Sequence, residues 1–150
     1  MSTKRKKLKK PFEIRELNIF DSKDYQKALN ESKDYLEHFL DWGINATNYD
    51  LEQCKNIITL MNLEKRPNRT FGICLWGKVV GEISIGEGSR SDGLQVTYWV
   101  SKKHAGKGLC SRALKNIVDK CVLMEYVNFV EIHADKRNLA SQKAARNAGI

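Results

Sequence analysis

A change of hydrophobic period around residues 94 to 121 constrains this chain more than any other feature. Leu94, Val96, Tyr98 and Val100 alternate with Gln95, Thr97 and Trp99, the two-residue period of a strand. Lys103-His104-Ala105-Gly106-Lys107-Gly108 interrupts the alternation with two glycines. From Leu109 the period is helical. Leu109, Ala113, Ile117 and Cys121 form one i, i+4 row, and Cys110, Leu114, Val118 and Val122 form the next. Ser111, Arg112, Lys115, Asn116, Asp119 and Lys120 take the opposite face.

A helix that opens on such a turn offers unpaired N–H groups and the positive end of its dipole. Glycines let the backbone approach a bulky ligand, and Lys102, Lys103 and Lys107 add charge. A phosphate or pyrophosphate held by main chain suits this arrangement. A solvated basic turn, with a glycine packed against the sheet, suits the same spacing. The spacing matches neither G-x-x-x-x-G-K-[ST] nor G-x-G-x-x-G.

The rest of the chain supplies a mixed α/β (α+β) pattern. Phe12 to Leu17 reads as a first strand, with Phe12, Ile14 and Leu17 inward. Asp21 is placed to cap a short helix, with Phe20 and Tyr25 as a hydrophobic staple. Tyr35, Leu36, Phe39 and Leu40 mark a second helical segment ending near Trp42-Gly43. Thr47-x-x-Asp50 resembles a capping box opening a third helix, whose buried face is Cys54, Ile57, Ile58 and Met61. Thr70 to Trp76 and Val79 to Ile85 flank Gly77-Lys78 as a hairpin. Gly86 to Gly93 is a loop, Asn128 to Ala134 another strand, and Leu139 to Ala148 a last helix. The helix between the last two strands implies that they are parallel, whereas the hairpins are antiparallel. Helices are expected on both faces of the sheet.

Lys103-x-x-Gly106-x-Gly108, after a strand and opening a helix, resembles the acyl-CoA signature (R/Q-x-x-G-x-G/A) of the GNAT acetyltransferases. Tyr98-Trp99-Val100, Gly106-Lys107-Gly108, Asn138-Leu139-Ala140-Ser141 and Gly149-Ile150 follow in the order seen in its ribosomal-protein N-terminal acetyltransferase branch. The resemblance spans residues 12 to 150, after a basic tail over residues 1 to 11 expected to be disordered. It implies a GNAT-like, mostly antiparallel sheet and an acetyl-CoA-dependent N-acetyltransferase acting on a primary amine, such as a protein N-terminus. It also implies that the final strands of the family's sheet lie beyond Ile150, leaving the domain C-terminally incomplete.

The resemblance further assigns contacts. Backbone around Trp99 and Val100 would pair with pantetheine, and Lys103, His104, Ala105, Gly106, Lys107 and Gly108 would hold pyrophosphate. Asn138 would touch the pantetheine arm and Ser141 would sit near the thioester sulfur; a helix cap with an ordinary first-turn hydroxyl is the plainer reading of that pair. Two departures bear on catalysis. The tyrosine that many family members use as general acid is Ala145 here, and a frequent glutamate is Gln95. Candidate bases are then Glu82, Glu131 and His133. These departures, with the basic tail, frame the alternative of a non-catalytic CoA-binding or RNA-contacting module. The acceptor side would be walled by the helices between Ser22 and Arg66 and the Gly86–Gly93 loop. Glu31, Asp34, Glu37 and Asp41 are available there to attract a cation or to form a solvated face.

Composition narrows the setting. The net charge of +8 owes six charges to Lys4, Arg5, Lys6, Lys7, Lys9 and Lys10, leaving about +2 elsewhere. The body is therefore no nucleic-acid platform, although the tail could make a weak nucleic-acid contact. Cys54, Cys74, Cys110 and Cys121 lack C-x-x-C spacing and read as reduced thiols. The histidines have no metal-ligand spacing, so no metal is expected. No apolar run approaches a membrane span and no secretory signal is recognisable, which together suggest a cytoplasmic protein, with oligomerisation open.

Overall fold

The structure is a computed structural model that describes residues 9–34, 36, 48–121, 123–134 and 137–150. Its strands are β1 (Glu13–Arg15), β2 (Arg69–Leu75), β3 (Lys78–Glu87), β4 (Gly93–Val100) and β5 (Phe129–Ile132). Its main helices are α1 (Ser22–Glu31), α2 (Leu51–Asn62), α3 (Leu109–Cys121) and α4 (Leu139–Asn147). The five strands pair in sequence order; all neighbours are antiparallel except β4 and β5, which are parallel. The mixed sheet and the parallel last pair agree with the reading from sequence.

Alternation on β3 and β4 divides the core in two. Ile83, Ile85, Leu94, Val96 and Tyr98 pack with Leu109, Ala113, Leu114 and Ile117 of α3 and Ala144 of α4. Val79 and Trp99 face the other way and pack with Tyr25, Ala28 and Leu29 of α1 and Cys54 and Ile58 of α2. A bulge at Val80, between the pairs Ile73–Gly81 and Cys74–Val79, shifts the alternation by one, so that Val80 joins Ile83 and Ile85 in one core and Val79 turns to the other. At Gly81 a Cβ would meet the Trp99 carbonyl oxygen at 2.3 Å, so only glycine lets β4 run this close to the bulge.

Several local expectations shift. The hairpin turn falls on Trp76-Gly77, one residue before the expected Gly77-Lys78, with φ of 50° and 80°. Two positive φ values make a type I′ turn, whose twist matches the flanking strands. Asp21 makes no side-chain cap for α1; it stands at the third position of a capping box with Asn18 that opens a short 3-10 turn, Ile19–Asp21. Its carboxylate instead accepts both guanidinium nitrogens of Arg15, at 2.8 and 2.9 Å, and the Asn18 N–H. The charged pair with Arg15 and the bond from the Asn18 N–H share one carboxylate, leaving nothing for the α1 amides. The staple is also absent, since Phe20 is exposed while Tyr25 is buried. Helix α2 is capped by Asp50 reciprocally with Gln53, one turn later than the Thr47 box. The segment from Phe39 to Gly43, with Tyr35, Glu37, Asp41, Thr47, Val122 and the tail to Leu8, lies outside the described residues.

Candidate active site

The pairing of β4 with β5 ends at Val96–Ile132, while β4 continues to Val100. Beyond that point the side of β4 facing β5 has no paired strand among the described residues. A cavity of about 560 Å³ opens there, lined by Tyr98 and Val100 of β4, His104 to Gly106 and Gly108 of the turn, and Ser141 and Ala144 of α4. Ser111 of α3 donates to the Ala144 carbonyl at 3.1 Å and fixes the two helices beneath it.

The turn is shaped by its glycines. Gly106 and Gly108 have φ of +78° and +74°, a conformation that other residues adopt only with strain. A Cβ at either would meet no protein atom within 4 Å, so the surface above both is open. The first intrahelical bond of α3 runs from Arg112 N–H to Gly108 O, leaving the earlier first-turn amides directed toward the turn. His104 accepts from or donates to Ser101 through Nδ1 at 2.8 Å. Burial, then Lys107 and Lys103, lowers its pKa, so it is neutral at pH 7. The side chains of Lys103 and Lys107 are exposed.

At the other end of the cavity, Asn138 is the N-cap of α4, its side-chain oxygen accepting from Ser141 N–H at 3.0 Å. This is the cap reading of that asparagine, and it orients the serine. The Ser141 hydroxyl donates to the Tyr98 phenol at 3.2 Å, and that phenol donates to the Ser141 carbonyl at 2.7 Å. Sequence periodicity marked Tyr98 only as an inward strand residue and gave no sign that its hydroxyl meets α4.

Trp99 points to the opposite face, where a second cavity of about 290 Å³ is lined by Tyr25, Tyr49, Ile57, Glu82, Ser84, Thr97 and Trp99. Glu82 lies deep in the fold yet keeps part of its surface on this cavity. Its Oε2 accepts from Trp99 Nε1 at 2.7 Å and from the Tyr25 phenol at 3.4 Å. Burial pushes the carboxyl up to about 7 against the pull of these two bonds, and the charge of Glu64 adds to the rise.

Residues 12–150 match the family model described as an acetyltransferase (GNAT) domain. The chain belongs to the GNAT acetyltransferases. It is 28% identical over 145 residues to a probable N-acetyltransferase, YjcK, of Bacillus subtilis, covering 91% of this chain and 78% of that protein. Its fold is similar to that of RimL, a ribosomal-protein α-N-acetyltransferase solved with coenzyme A. The TM-score is 0.80 at 16% identity, over 95% of this chain and 81% of that one. It is also similar to the microcin self-immunity acetyltransferase MccE solved with acetyl-CoA and AMP, with a TM-score of 0.81 at 13% identity, over 93% and 78% of the two chains.

A GNAT enzyme acetylates an amine, which must lose a proton before it attacks. Of the candidate bases, Glu131 and His133 bind each other at 2.9 Å and line neither cavity. Glu131 also accepts from the Ser89 hydroxyl and N–H, and these bonds with His133 hold it down to about 2. A carboxylate so well satisfied is a poor base. Gln95 pairs with Gly86 and Glu131 within the sheet, and Ala145 packs against the core. Glu31 and Asp34, read as acids available to a cation or as a solvated face, line the larger cavity.

Proposed function

We propose that this enzyme takes its acetyl group from acetyl-CoA bound in the larger cavity. The observation that carries the reading is the continuity of that cavity from the glycine turn to the Ser141–Tyr98 pair. Pyrophosphate would lie on the amides from Lys103 to Gly108, whose open upper surface accommodates it. Pantetheine would run along Val100, beside the unpaired end of β4. The thioester would reach Ser141, whose hydroxyl, held by the Tyr98 phenol at rest, would turn to donate to sulfur as the C–S bond breaks. Asn138 positions Ser141 rather than touching the cofactor.

The tyrosine absent at position 145 does not leave this end of the cavity without hydroxyls, since Tyr98 reaches it from β4. This favours catalysis over a purely CoA-binding module. Among the described residues no helix is long and apolar enough to cross a membrane, in keeping with a cytoplasmic enzyme. The basic tail would serve at most as an auxiliary contact to RNA or an acidic surface.

Calorimetric titration with CoA, followed by measurement of free thiol released from acetyl-CoA in the presence of peptides and amines, tests the reading. Binding with amine-dependent release is expected. Binding without release on any acceptor would favour the CoA-binding module.

A further inference from the structure

The smaller cavity lies on the other face of β4, level with the segment from Thr97 to Val100 that β5 does not cover. Ligands on the two faces would meet around that uncovered edge. Accepting the acetyl-transfer reading, we propose that this cavity receives the acceptor as a primary ammonium against Glu82. It would select amines whose neighbouring carbon bears no carboxylate: peptide N-termini or simple alkylamines, not free amino acids.

The electrostatics of the lining carry the selection. Tyr25, Tyr49 and Trp99 present rings, with the Tyr25 and Trp99 centroids 6.4 Å apart and tilted by 51°. Glu82 is the only charged side chain among the described residues that line the cavity, and no Lys, Arg or His accompanies it. Nearby Glu64, whose charge Glu82 feels, has a buried Oε1 without a hydrogen-bond partner. Among the described residues, the cavity wall therefore carries a carboxylate with no cation beside it. An ammonium answers that charge. The carboxylate of a zwitterion would be buried here against like charge with no counter-ion.

A neutral carbonyl is better served. Ser84 and Thr97 share one hydrogen bond at 2.7 Å, so one of the two hydroxyl hydrogens is left to give. The volume equals that of about ten liquid waters, room for an amine and one short side chain.

The proton balance closes on the same groups. The bound ammonium gives one proton to the Glu82 carboxylate, and its neutral nitrogen bonds to the acyl carbon. As the C–S bond breaks, the Ser141 hydroxyl turns from Tyr98 and gives its hydrogen to the departing sulfur, and the second proton of the nitrogen replaces it on the serine oxygen. The third remains on the amide product, and Glu82 returns its proton to water.

Alaninamide, alanine and n-butylamine make the test, each supplied with acetyl-CoA at pH 8 while thiol release is followed, with rates corrected for the ammonium fraction of each amine. Alaninamide should exceed alanine in kcat/KM by at least about thirtyfold. A faster rate with alaninamide than with butylamine identifies a peptide end as the source of the amine, and the reverse identifies an alkylamine. Glu82→Gln should lower kcat by at least about a hundredfold. Ile57→Lys, which sets a rival ammonium in the cavity wall, should abolish saturation by the amine. Both variants should keep CoA affinity within about twofold. Equal use of alanine and alaninamide, or an unchanged rate in Glu82→Gln with CoA still bound, overturns this proposal alone. A wild-type protein that binds no CoA overturns the acetyl-transfer reading and this proposal with it.

Discussion

Tyr98 and Ser141 hold each other by two hydrogen bonds, one from the phenol to the serine carbonyl and one from the serine hydroxyl back to the phenol. The pair joins a strand to the first turn of a helix across a large separation in sequence. Tyr98→Phe removes both bonds with little change in shape. It should lower kcat about tenfold to a hundredfold and alter the KM for acetyl-CoA by less than about threefold, because the lost polarity matters most when charge develops on sulfur. Ser141→Ala should do the same, and the double variant should be little worse than either single one. Steady-state kinetics with acetyl-CoA as the varied substrate decides this; full additivity would mean that the two hydroxyls act separately.

Asn138 caps α4 through one bond to the Ser141 amide. Asn138→Ala should cost about 1 kcal/mol and lower Tm by roughly 2–4 °C. Asn138→Asp, which keeps an accepting oxygen, should recover most of it. A thermal melt of both variants is the check, and equal losses would show that the amide nitrogen of Asn138 matters more than its cap.

Gly106 and Gly108 separate strain from ligand exclusion. A valine at either position should weaken CoA at least about tenfold, since its side chain enters space that only a ligand would occupy. The left-handed φ alone should cost roughly 1–2 kcal/mol of stability. Asn tolerates that conformation better, so Gly106→Asn should be more stable than Gly106→Val yet still impair CoA. Calorimetry with CoA, run beside the melts, distinguishes the two effects.

Glu82 should impose a pH dependence of known sign. Its folded pKa of about 7 lies above the ordinary carboxylate value, so it is protonated and inert as a base below that point and ionised above it. The kcat/KM for the amine should therefore rise through about pH 7, and Glu82→Gln should lose that limb. Stability runs the other way. A raised carboxyl pKa favours the fold most fully below the unfolded value and loses that contribution as pH climbs toward 7. Glu82→Gln should thus stabilise the protein by roughly 1–3 kcal/mol more at pH 8 than at pH 4. Urea unfolding at both pH values measures it.

The fold was legible where short-range patterns carry it. Alternation from Leu94 to Val100 and the i, i+4 rows from Leu109 gave β4 and α3 directly, and the intervening helix gave the parallel pairing of β4 with β5. Gly149, expected just past the last helix, has φ of +86°. Its N–H and that of Ile150 close the end by bonding to Arg146 and Ala145 carbonyls. Long-range competition was not legible. Nothing near Asp21 in sequence announces that Arg15 will take its carboxylate, and the staple fails with the cap. The site divides in the same way. The glycine turn and Asn138–Ser141 stand out by spacing. Tyr98, by contrast, looks like core until α4 is brought against it. Glu82 stood beside Glu131 and His133 as an equal candidate, because depth, ring walls and the neighbouring Glu64 are properties of assembly.

Successive residues of a strand face opposite ways, and on β4 this separates Tyr98 from Trp99. The proposed donor and acceptor sites thereby have different entrances. Neither reactant needs to leave before the other arrives, and no acetylated protein form has to bridge two half-reactions. The corresponding rate law is sequential: free CoA competes with acetyl-CoA for one entrance and leaves the amine's entrance untouched.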